Sequence, residues 1–121
     1  MGTVAIRRVY EPSPKGTFRI LVDRIWPRGL SKEHAAVDLW LKDAGPSTEL
    51  RKWFAHDPER FDEFAAKYRA ELKDSEAYAE LAKAVGEHQP AELVYSAHDT
   101  EHNQAVVLAS LLNGSRLNGA R

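Results

Sequence analysis

The sequence predicts an α/β fold: a small three-layer sandwich, with a mixed, mostly parallel sheet of three to five strands flanked by helices. Three observations carry that prediction. A short, almost continuous apolar run, Phe18 to Ile25, has the length and composition of a strand buried on both faces. Strand-like segments lie at both ends of the chain, with helical periodicity between them, so the element order is mixed. The last segment, Ala105 to Leu112, is apolar almost all round and reads as a buried helix.

The elements follow in order. Val4 to Val9 alternates weakly and reads as a strand near a sheet edge. Glu11-Pro-Ser-Pro-Lys-Gly16 is a loop. After the Phe18–Ile25 strand, Trp26-Pro27-Arg28-Gly29 stops the run, because proline removes a donor and glycine permits positive φ. Ser31 to Ala36 is read as one helical turn, and Val37 to Leu41 as a third strand. Gly45-Pro46 breaks the chain, and Ser47 caps a short helix carrying Leu50, Trp53 and Phe54. Asp57-Pro58-Glu59 is a helix start with an acid at the N-cap. Phe61, Phe64, Ala65, Tyr68 and Leu72 then form one stripe. Ser75 opens the next helix, with Tyr78, Leu81, Ala82 and Val85 inward and Gly86 as its stop. Pro90 precedes a last strand, Glu92 to Ala97.

The chain has 121 residues, 43% hydrophobic and 29% charged, which sets one folded domain, expected over residues 1–114, with 115–121 as a flexible tail. It has no cysteine, which removes disulfides and thiolate nucleophiles or ligands. No apolar run reaches the ~20 residues of a membrane helix, and the N-terminus lacks a signal-peptide pattern. A cytoplasmic protein with no membrane partner is expected. The net charge is −1 and no basic stripe with interleaved aromatics occurs, so nucleic acid is an unfavoured partner. Charge is uneven, however. Residues 1–30 carry Arg7, Arg8, Lys15, Arg19, Arg24 and Arg28 against only Glu11 and Asp23.

Ligands of open parallel α/β sheets bind beyond the carboxyl ends of strands. Two expected strands end in chemically rich clusters. In the first, Arg24 and Arg28 offer guanidinium forks for carboxylate or phosphate, Trp26 offers a flat face, and Gly29 allows close backbone approach. An Asp23–Arg24 ion pair with Trp26 in the core is the competing reading. In the second, Tyr95 can stack on a ring. Asp99 or Thr100 can cap the final helix, His102 with Asp99 can transfer protons, and Asn103 lies in the first turn. His56, between two helices, is a further ligand-binding candidate. His98-x-x-Glu101-His102 matches an inverted zinc-protease signature, but His98 falls outside the helix and only 19 residues remain for a third ligand. A modest metal site from His98, Asp99 and His102, joined by His56, is a minor alternative suited to iron, manganese or zinc. The cofactor, if any, is left open.

Longer stretches carry a family resemblance. They are Arg19 to Lys32 with Asp23-Arg24-Ile-Trp26-Pro27-Arg28-Gly29 at its centre, Asp38-Leu-Trp40-Leu-Lys42-Asp43, Pro46 to Phe54, His56-Asp57-Pro58-Glu59-Arg60, and Tyr95 to Ala105. Together they resemble the YeaO-like branch of bacterial domain-of-unknown-function family 488, over about residues 4–112. The resemblance implies a compact α/β fold and no particular reaction. Longer members of the family carry a cysteine near the final strand, where this chain has Ser96 or Ala97, so a thiol mechanism does not carry over.

These readings converge on a protein that binds an anionic, ring-containing small molecule at strand ends, as a hydrolase or transferase. A non-catalytic binding or sensor module, or a metal-binding protein, are the alternatives, and whether it is an enzyme stays open. Trp40, Trp53 and Phe54 exceed what a small core needs to hold, which makes a homodimer a possible assembly.

Overall fold

A computed structural model describes residues 3–114. Four strands, β1 (Val4–Arg8), β2 (Phe18–Leu21), β3 (Leu39–Trp40) and β4 (Ala91–Tyr95), form one sheet in the order β1-β4-β2-β3. All three pairings are parallel, so the expected mixed sheet is parallel throughout. Val4 pairs with Ala91 and Phe18 with Ala91 across the other edge of β4, which sets one register for β1, β4 and β2.

The helices are α1 (Lys32–Ala35), α2 (Thr48–Phe54), α3 (Phe61–Leu72), α4 (Glu76–Glu87) and α5 (Gln104–Leu112). Helices α2 to α5 cover one sheet face and build the main core, in which Ile20, Leu93 and Tyr95 from the strands meet Phe54, Phe64, Tyr68, Leu81 and Leu108. The opposite face is covered thinly, by α1 and loop residues, around a small second core of Val9, Leu21, Ala35 and Val94. Strand residues alternate between the two cores, as period-2 geometry requires.

Several boundaries differ from expectation for identifiable reasons. Asp57 caps a 3-10 turn, Pro58–Arg60, that precedes α3 rather than α3 itself. Gly86 lies inside the last turn of α4, which runs on to Glu87. Ala84, not Ala82, completes the inward stripe, because it stands three residues from Leu81 while Ala82 stands about 100° round the helix. Strands β2 and β4 are shorter than their apolar runs. The Val22 N–H still pairs with the Val94 carbonyl at 3.2 Å, but the next donor, Ser96 N–H, is taken by the Asp23 side chain. Phe54 is buried and Trp53 half-buried. The exposed large apolar residues among those described are Tyr10, Ile25 and Trp40. No helix among the described residues is long and apolar enough to cross a membrane. The tail expected over residues 115–121 lies outside the described residues.

The β1–β2 link is unusual. The two strands are parallel with β4 between them, yet residues 9–17 cross over β4 without a helix. Parallel crossovers normally use one. Arg19, 5% exposed, replaces it. Its guanidinium donates to the carbonyls of Val9 (2.8 Å), Glu11 (2.9 Å) and Ala35 (3.1 Å) and to Ser13 Oγ (2.6 Å). Ser13 donates onward to Glu92 on β4, which also receives a two-point bond from Arg7 at 2.8 and 3.1 Å. That bond is the main cause holding the Glu92 carboxyl below its usual range.

Arg19→Met is therefore expected to orphan three backbone carbonyls and destabilise the fold by ~3 kcal/mol or more, since each buried polar group left unpaired costs ~1–3 kcal/mol. Urea unfolding measures this, and a loss below ~1 kcal/mol would contradict the pinning role.

Candidate functional site

Because β2 and β4 are neighbours, the segments following them emerge side by side. Asp23 joins them. Its carboxylate accepts from Ser96 N–H at 3.0 Å and from Gln104 Nε2 at 2.6 Å, tying the β2 end to the β4 end and to the first turn of α5. Asp23 is 7% exposed. Burial pushes its carboxyl above the ordinary range, opposed by the bonds from Ser96 and Gln104.

Arg24 points along the cleft but its fork is occupied. Nε donates to the Pro46 carbonyl and Nη2 to the Gly45 carbonyl, both at 2.9 Å, with a looser contact to Asp43 at 3.4 Å. It does not pair with Asp23. The loop it grips is tight: a Cβ on Gly45 would stand 3.2 Å from the Val22 carbonyl oxygen. Trp26 turns to the opposite sheet face, where its indole N–H donates to the Leu30 carbonyl at 2.7 Å and its ring meets Trp40 edge-on. Gly29 holds the turn with φ +75° and does not line the cleft. Arg28 between them is exposed and lines the cleft, and its guanidinium has no partner among the described residues.

The second cluster divides as well. Tyr95 is buried in the main core. Asp99 Oδ1 accepts from the N–H groups of Glu101 (2.9 Å) and His102 (3.0 Å), and Oδ2 lies 2.9 Å from His102 Nδ1. The Glu101 N–H is the largest influence holding the Asp99 carboxyl low. Asn103, not Asp99 or Thr100, is the N-cap of α5. Its Oδ1 accepts from Val106 N–H, and its Nδ2 donates to the Asp99 carbonyl. Asp99, Asn103 and His98 line the cleft. His102 packs edge-on against Phe61 at 5.2 Å and is not among the lining residues. Among the described residues, no three His, Asp or Glu side chains converge to hold a metal ion.

The third wall comes from α2 and the loop after it. Ala55 and His56 both have left-handed backbone, with φ 48° and 57°. Such conformations cost a non-glycine residue ~1–2 kcal/mol and gather at functional sites. His56 lines the cleft from this bend. So does Arg51, earlier on α2, whose Nε is buried without a hydrogen-bond partner among the described residues. Sequence reasoning passed over Arg51. Its signal was its spacing: it stands three residues before Phe54, on the inward side of α2 rather than the wet one.

The cleft encloses about 730 Å³. Arg28 and Arg51 offer guanidiniums without a hydrogen-bond partner among the described residues, His56 and His98 add two imidazoles, and Ile25 supplies exposed apolar surface beside the buried Phe54 and Phe64. The two acids that line it, Asp23 and Asp99, are already engaged internally. The arrangement suits an anion with an apolar body.

Asp23→Asn is expected to melt above the wild type at neutral pH. A carboxyl whose folded pKa is raised subtracts stability as pH climbs from the ordinary carboxyl range through that raised value. The gap in Tm between variant and wild type should widen from pH 4 to 8. A gap that narrows would contradict the burial cost. For His56, Gly is expected to be more stable than Ala by about 1 kcal/mol in urea unfolding, since both lose the ring and only Gly relieves the bend. The reverse order would be incompatible with a left-handed residue 56.

Comparison with known proteins agrees with the sequence resemblance. Residues 3–119 match the family model described as "Inactive DUF488-N3 subclade". The chain is 49% identical over 112 residues to the uncharacterised proteins Mb3100c of Mycobacterium bovis and Rv3073c of Mycobacterium tuberculosis, covering 92% of this chain and 94% of each of those. It is 42% identical over 110 residues to the uncharacterised protein YeaO of Escherichia coli, covering 90% and 96%. No solved structure matches significantly. On the extent of these matches, the chain belongs to the DUF488 family, within the subclade described as inactive DUF488-N3.

Proposed function

We propose that this protein binds an anionic, ring-bearing small molecule in the cleft at the ends of β2 and β4, as a binding module without turnover. The observation that carries the reading is Arg51: its Nε is buried with no hydrogen-bond partner among the described residues, on a side chain that lines the same cleft as the exposed Arg28. A buried donor left unpaired costs ~1–3 kcal/mol, which an incoming carboxylate or phosphate would offset. Ile25, 62% exposed, rather than the Trp26 and Tyr95 expected from sequence, supplies the apolar contact for the ring, while Phe54 and Phe64 line the cleft from within the main core.

Binding without catalysis is favoured over a hydrolase or transferase on two grounds. The His102–Asp99 pair, expected to transfer protons, has its imidazole outside the cleft lining, and Asp99 is held by backbone N–H groups. The matching family model is described as inactive.

Thermal shift and calorimetry with inorganic phosphate, phenyl phosphate and benzoate test the reading. The wild type should be stabilised by at least one of them. Arg51→Met should bind tenfold or more weakly, as a charged hydrogen bond is worth ~1.5–3 kcal/mol. No phosphate should be released from phenyl phosphate above the uncatalysed rate. Absence of any shift at millimolar anion, or an unchanged affinity in Arg51→Met, would remove the proposal. Steady phosphate release that tracks the purified protein would move it to the hydrolase reading.

A further inference from the structure

The cleft floor carries a second recognition element, set by Asp23 and Gln104. A carboxylate only accepts hydrogen bonds. Asp23 Oδ1 faces the Gln104 side chain at 2.6 Å, and Oδ2 faces the Ser96 N–H at 3.0 Å. The Gln104 amide is thereby held in one orientation, nitrogen toward Asp23 and oxygen away from it. Gln104 is half-buried and lines the cleft, and its Oε1 has no partner among the described residues. The neighbouring amide cannot serve instead, since Asn103 is engaged through both its oxygen and its nitrogen. The cleft thus presents a fixed, unanswered acceptor in the same lining as Arg28, Arg51 and Ile25.

We infer that the ligand carries, besides its anionic group, a hydrogen-bond donor such as a ring N–H, received by Gln104 Oε1. The inference rests on the anion-binding reading of the cleft and deepens it. A ligand with a ring acceptor at the same place meets an oxygen lone pair and leaves both groups desolvated and unpaired, so the floor discriminates by exclusion as well as by attraction.

Three phosphate monoesters of similar bicyclic bodies test this by calorimetry at neutral pH: 3-indolyl phosphate, with a ring N–H; 1-naphthyl phosphate, with neither donor nor acceptor; and a quinolinyl phosphate, with a ring acceptor. The wild type should prefer the indolyl over the quinolinyl ester by roughly fivefold or more, consistent with one net hydrogen bond. In Asp23→Asn, the new amide gives its oxygen to Ser96 and its nitrogen to Gln104. Gln104 turns over to present N–H, and the preference should reverse. Gln104→Leu should bring the indolyl and quinolinyl affinities together, which keeps the test available if Asp23→Asn does not fold. Arg51→Met should weaken all three by a similar factor and preserve their order. Equal wild-type affinities, or an order unmoved by Asp23→Asn and Gln104→Leu, would overturn the donor inference while an intact Arg51 effect leaves the anion cleft standing. Failure of every ester to bind would overturn both.

Discussion

The guanidinium of Arg19 is the constraint on which the rest of this small protein depends. A four-stranded parallel sheet needs crossovers, and the first one here has only nine residues between β1 and β2 with β4 lying beneath. A link that short cannot satisfy its own backbone with a helix. Arg19 supplies the missing donors from the sheet itself, gripping Val9, Glu11 and Ser13 on the link and Ala35 on α1. Its burial is tolerable because each donor meets a carbonyl or hydroxyl in a fixed fork geometry. With the link held, β1 and β2 keep their common register against β4, and the β2 and β4 ends stay level. That level edge is what lets Asp23 reach Ser96 and Gln104.

Several unfavourable features gather in the cleft. Asp23 is a carboxylate held where burial opposes its charge, Arg51 has a buried nitrogen with no partner among the described residues, and His56 sits on a bend that side chains rarely adopt. Together, on two chain segments lining one cleft, they support the proposed binding reading. Two carboxylates at the two ends of β4 show the contrast. Glu92, paired with Arg7 and Ser13, gains stability from its charge above the ordinary carboxyl range. Asp23, with a neutral amide and a backbone N–H and hydroxyl for company, loses it. The same charge serves the scaffold in one place and loads it in the other.

The two guanidiniums read from one loop show how far local chemistry can mislead. Arg24 and Arg28 stand four residues apart in the same rigid segment. Arg24 is a structural clamp on Gly45 and Pro46, while the Arg28 guanidinium has no partner among the described residues. Trp26 between them faces the other core altogether. Pro27 and Gly29 turn the chain so that neighbours in sequence diverge in space.

The α/β class, the buried central strand, the edge position of β1, the periodic face of α3 and the family itself were all legible in the sequence. Each follows from local patterning: apolar runs, 3.6-residue spacing, capping residues and long motif identity. The convergence of the Arg28 loop with the start of α5 was also within reach, because parallel strands put their carboxyl ends at one edge. What only the tertiary structure decided was which polar groups remain free. Whether Arg24 or Arg51 keeps an unpaired guanidinium, whether His98 rather than His102 lines the cleft, and which way Gln104 presents its amide all depend on partners supplied by distant segments. Hydrogen-bond satisfaction is a property of three-dimensional neighbours, and no spacing along the chain encodes it.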